Sequence, residues 1–130
     1  MSSKETCLVF YASKIPNKNG DLNWYEFKEY ETLSLKVLQT LVGGQITSVP
    51  CLKKKTSFLA YGDDEGLLKS SARNDLAGGA LYYLGFRGSE FLGCAYAGNV
   101  VVLGSDEQGL TPNQQQELRT AIDRYRSLEE

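Results

Sequence analysis

Apolar and polar residues recur along this chain with two periods, and each change of period marks an element. Residues 6–12 (Thr-Cys-Leu-Val-Phe-Tyr-Ala) are a β-branched and aromatic run that predicts a strand. A polar stretch follows in which Asn19-Gly20 supplies two residues tolerant of positive φ, the chemistry of a hairpin turn. Residues 22–30 return as a second strand, with Trp24, Glu26 and Lys28 on one face and Tyr25 and Phe27 on the other. The period then lengthens. Leu35, Leu38, Leu41 and Val42 fall at helical spacing, Ser34 can cap that helix, and Gly43 can close it in the left-handed conformation. Strand patterns resume at 45–52, bent or ended at Pro50, and at 57–61. Asp63-Asp64-Glu65-Gly66 reads as a turn and 67–69 as a brief return.

The second half repeats the pattern. Asn74 or Asp75 can cap a helix over 76–84 that stops at Gly85. Gly78-Gly79 inside it costs about 1 kcal/mol per glycine relative to alanine, so either the helix is weak or something packs against its backbone. Residues 91–96 are mixed, Gly98-Asn99 reads as a turn, 100–104 as a core strand, and 106–109 as a polar loop. The last helix carries the clearest signals. Thr111 is its cap, Pro112 its first residue, and Gln114 completes a capping box. Leu118, Ala121, Ile122, Tyr125 and Leu128 share one face, and Arg119, Arg124 and Arg126 sit towards the C-terminal end, where the helix dipole favours cations. Strands and helices are intermixed with at least one hairpin. The expected fold is a two-layer α+β domain, with a mostly antiparallel sheet and two or three helices, the capped C-terminal one at 111–128 included.

Composition narrows the chemistry. The 130 residues form one domain by length. With 14 basic and 16 acidic side chains the net charge is −2, which argues against a dedicated DNA-binding or anionic-membrane surface. Lys53-Lys54-Lys55 is the one basic run, short enough to be a solvated loop. No segment has the roughly 18 apolar residues of a membrane span, and no signal-peptide pattern precedes the first strand, so the expected compartment is the cytoplasm. Cys7, Cys51 and Cys94 are scattered among apolar residues and read as reduced, buried thiols. The chain has no histidine. Ser-His and Cys-His nucleophile pairs are therefore excluded, as are His-ligated zinc sites. Neither a catalytic constellation, a resident metal nor a cofactor is expected.

The polar candidates are few. Arg73 and Asn74 at a helix start could hold an anion, because free N–H groups and the dipole favour negative charge there. Asp63-Asp64-Glu65 offers carboxylates, but consecutive residues cannot all face one ion. Trp24, Tyr25, Tyr82 and Tyr83 could stack on a planar ligand, and aromatic residues are equally at home in cores and interfaces. Trp24, Tyr25 and Phe27 are the expected interface residues, since an aromatic strand can bury one face on its own domain and offer the other to a partner.

Several pieces occur in order: 38–46 (Leu-Gln-Thr-Leu-Val-Gly-Gly-Gln-Ile), Asp64-Glu65-Gly66, 98–104 (Gly-Asn-Val-Val-Val-Leu-Gly) and an acidic tail at 106–109. On these the chain resembles the domain-of-unknown-function family 3846, small proteins of bacteria, plasmids and phages, over about residues 35–110. That family carries an Asn-Arg pair between the second and third pieces. Here the order is reversed, Arg73-Asn74. Residues 1–30, a hairpin, and the C-terminal helix then look like additions. The resemblance implies a compact α+β fold and a mobile-element origin, and no particular reaction. Arg73, Asn74, Asn99 and Glu65 become the expected ligand-binding residues. The expected function is a non-catalytic binding or regulatory protein, homo-oligomeric, with a host protein or a small nucleotide-like ligand as partner. The alternative is a His-independent enzyme acting on a phosphate-containing small molecule through carboxylates and Arg73.

Overall fold

The computed structural model of the protein describes residues 4–48, 58–63, 72–86, 97–104 and 109–129. The elements run β1 (Glu5–Ala12), β2 (Asn23–Tyr30), α1 (Leu35–Val42), β3 (Ile46–Ser48), β4 (Phe58–Asp63), α2 (Asp75–Tyr82), β5 (Val100–Gly104) and α3 (Pro112–Glu129). The five strands form one sheet in the order β2-β1-β5-β4-β3, antiparallel throughout. The Asp64-Glu65-Gly66 turn, Cys51, Cys94 and Lys53-Lys54-Lys55 lie outside the described residues, as do 67–69 and 91–96.

Burial explains the sheet. Leu8 and Phe10 of β1, Val100 and Val102 of β5, and Phe58 and Ala60 of β4 point to one face. There they meet Leu76, Ala77, Ala80 and Leu81 of α2 and Leu118, Ala121 and Ile122 of α3. Cys7, Val9, Val101 and Leu103 point to the other face, under Leu33, Leu38 and Val42. A strand covered on both sides carries an unbroken apolar run, which is why 7–10 and 100–103 do not alternate. The α+β class, the antiparallel sheet and the capped C-terminal helix stand as expected, and α1 adds a partial third layer.

The 1–30 hairpin is built into the core: β1 lies between β2 and β5, and Cys7, Leu8, Val9 and Phe10 have no exposed surface. Its apolar run is core because β5 closes on it, and sequence order hides that pairing.

Local signals set the helix ends. The Ser34 hydroxyl accepts from the Val37 N–H at 3.3 Å, and Gly43 closes α1 at φ 91° and ψ 21°. At α3 the Gln114 N–H donates to the Thr111 hydroxyl (3.2 Å) and the Thr111 N–H to the Gln114 side-chain carbonyl (2.8 Å), a reciprocal capping box. Gly79 is where α3 approaches α2, since a Cβ there would fall within the Tyr125 ring. β3 is described over Ile46–Ser48, the 49–52 part of the expected stretch lying outside the described residues, and Asp63 belongs to β4. Among the described residues no helix is long and apolar enough to cross a membrane.

Candidate functional site

The expected ligand-binding residues that are described gather where β1 ends, β5 begins and α2 starts. Asn74 is fully buried. Its Nδ2 donates to the Phe10 carbonyl at 2.9 Å and the Gly98 carbonyl at 2.8 Å, while its Oδ1 accepts from the Ala77 N–H at 3.2 Å and so caps α2. Asn99 accepts from the Ala12 N–H at 3.1 Å and donates to the Leu41 carbonyl at 3.0 Å, tying β1 to the C-terminal turn of α1. Asn23 bridges the Arg73 carbonyl (2.9 Å) and the Leu76 N–H (3.1 Å). Each amide thus satisfies main-chain groups that the sheet and helices leave open, as buried polar groups require. Among the described residues no buried side-chain nitrogen or oxygen is without a partner.

Geometry therefore parts the nominated residues. Asn74 and Asn99 are engaged within the fold, and Asn74 has no surface from which to meet a ligand. Arg73 is exposed and lies 3.2 Å from the Asp75 carboxylate, which is exposed as well. Glu65 is outside the described residues. No group of three or more metal-ligating side chains occurs among the described residues.

The interface candidates split across the sheet. Tyr25 and Phe27 pack edge-to-face at 6.1 Å against the core beneath α3. The Arg126 guanidinium stands 5.3 Å from the Tyr25 ring and that of Arg119 4.5 Å from the Phe27 ring, cation–π contacts within the chain. Trp24 faces the other way and stacks on Tyr11 at 5.4 Å. On that side α1 packs mainly over β5, β4 and β3, and among the described residues Tyr11 of β1 and Trp24, Glu26 and Lys28 of β2 keep part of their surface open. Tyr11, Trp24, Lys28 and Tyr30, all part-buried, pave the open half-face, beside a shallow groove of about 200 Å³ whose α1 wall is Lys36, Val37, Thr40 and Leu41. The Tyr11 hydroxyl, hydrogen-bonded to Lys28, raises the Lys28 pKa above its ordinary value and keeps that ammonium charged. A second depression of about 310 Å³ lies between Tyr83 and the polar side of α3, with Arg124 5.6 Å from the Tyr83 ring.

Sequence reasoning named Tyr30 among the hairpin aromatics but passed over Tyr11 and Asn23. The register that pairs Tyr11 with Trp24 makes the first visible only once the hairpin is closed. Cys7 is a free, buried thiol whose pKa burial pushes up to about 11, so it stays protonated and unreactive at neutral pH.

No curated protein and no solved structure matches the chain. Residues 20–125 match the family described as Domain of unknown function (DUF3846), a span wider than 35–110 that takes in β2 and most of α3. With the greater part of its length inside that pattern, the chain belongs to the DUF3846 family.

Proposed function

We propose that the protein is a non-catalytic binding protein that engages a protein partner through the open half-face of its β1–β2 hairpin, and that it works as a homo-oligomer. The Tyr11–Trp24 stack carries this reading. It is a stacked aromatic platform on the part of the sheet that α1 covers least among the described residues, with Glu26 and Lys28 beside it for polar contacts. The amide side chains of Asn74 and Asn99, at the same end of the hairpin, are already engaged by main chain, which counts against a ligand pocket built on them. A protein surface also fits the balanced charge better than a nucleic acid does.

Trp24 is the sole tryptophan, so its emission reports on the face directly. Native mass spectrometry of freshly purified protein is expected to find a bound protein that shifts Trp24 emission and is lost in Trp24→Ser, with the melting temperature little changed. Turnover of a phosphoester or amide substrate that disappears in Arg73→Ala would instead establish the enzyme.

A further inference from the structure

Among the described residues β2 is a margin of the sheet, and its outer main-chain groups can be identified. The Ser13 N–H donates to the Leu22 carbonyl at 2.9 Å, in the register that sets Tyr11 opposite Trp24 and Val9 opposite Glu26. Bonded pairs recur at every second residue of an antiparallel ladder. Trp24, Glu26 and Lys28 therefore turn their main-chain groups towards β1, and Tyr25, Phe27 and Glu29 turn theirs outward. Contacts on the far side of β1 agree. The Thr6 carbonyl accepts from the Leu110 N–H (2.8 Å), the Phe10 carbonyl from Asn74 (2.9 Å), and the Ala12 N–H donates to Asn99 (3.1 Å). Thr6 and Phe10, the residues opposite Glu29 and Tyr25, thus face away from β2. Among the described residues nothing bonds to the outward groups of Tyr25, Phe27 or Glu29.

We infer that β2 pairs antiparallel with β2 of a second copy, about a two-fold axis through Phe27, making one continuous sheet across two subunits. This rests on the reading of the hairpin as the binding element and names a partner for its edge. Phe27 then opposes itself, and Tyr25 opposes Glu29 of the second copy. Each of these pairs exchanges two main-chain hydrogen bonds between the outward groups. Between them Glu26 opposes Lys28 of the second copy, and Trp24 opposes Tyr30. Opposite charges and aromatic pairs across strands are favourable, and like charges are not.

Charge selects this register over its neighbours. An axis through Glu26, Lys28 or Glu29 sets a charge against itself, and an axis through Tyr25 leaves Glu26 facing Trp24. On the α3 side, Glu29 of the second copy comes beside Tyr25, the ring that Arg126 covers. A charged edge normally discourages pairing. Here the Glu26–Lys28 spacing is self-complementary under a two-fold axis, so the same charges discriminate in favour of a second copy.

Sedimentation of the full chain at low salt tests this. Wild type is expected to be a dimer. Glu26→Lys and Lys28→Glu should each raise the dissociation constant at least about tenfold, because each sets two like pairs face to face. An equimolar mixture of the two variants should restore the dimer, because every opposed pair is then Lys against Glu. Glu29→Pro removes an outward N–H without touching the β1 ladder and should also give a folded monomer. A wild-type monomer at high micromolar concentration, or a dimer indifferent to both charge reversals, would overturn the inference. Partner binding to Trp24 by such a monomer would remove the homo-oligomer but leave the partner-binding role of the hairpin face standing, so the two failures are separable.

Discussion

A single amide side chain can donate twice and accept at the same time, and Asn74 uses all of that capacity where three elements meet. Asn74→Ala would leave the Phe10 and Gly98 carbonyls and the Ala77 N–H without their partner. The expected loss is about 3 kcal/mol, combining a buried donor pair with a helix cap. Asn74→Asp keeps the cap oxygen but turns a carboxylate towards two carbonyls in a dry site, so it should be at least as harmful. Urea denaturation of both variants checks this. If Asp were tolerated and Ala not, capping alone would account for Asn74. At this scale the sequence was half legible. It marked Asn74 as a cap and both Asn74 and Asn99 as polar residues of consequence. Whether an amide meets a ligand or a carbonyl depends on strands far away in sequence, and no local pattern carries that.

Among the elements, the ends were the most legible part, because caps are decided within four residues. Ser34, Gly43, Thr111 and Gln114 all behave as their positions predict. The glycine pair of α2 is more instructive. Propensity alone says that Gly79→Ala should stabilise a helix by about 1 kcal/mol. Packing opposes that, since the new methyl would occupy the Tyr125 ring. Overpacking typically costs about 1–3 kcal/mol, so the net effect should be destabilising. Combining Gly79→Ala with Tyr125→Ala should be less costly than the sum of the single changes, measured as a coupling energy in a double-mutant cycle. The strand lengths were less legible. β4 gains Asp63 because β3 pairs with it there, a contact made by tertiary structure alone.

For the whole molecule, topology is what the sequence withheld. Alternation gave the two faces of β2 correctly, yet nothing local says that β1 will lie between β2 and β5. The consequence is testable by truncation. Residues 31–130 lack a strand that is buried on both faces, so they should fail to fold, instead of giving a smaller soluble domain. Circular dichroism of that fragment without a cooperative melting transition is the expected result.

The same placement of β1 bears on how the chain is made. Ala12 and Asn99, which share a hydrogen bond, are 87 residues apart. At ordinary rates of synthesis, about 5–20 residues per second, β1 leaves the ribosome on the order of ten seconds before β5 exists to cover it. Throughout that interval Leu8 and Phe10 on one side of the hairpin, and Cys7 and Val9 on the other, have no β5 beside them. The nascent hairpin is thus a natural client for a chaperone, and the yield of native protein should depend on what shelters those residues before residue 104 emerges.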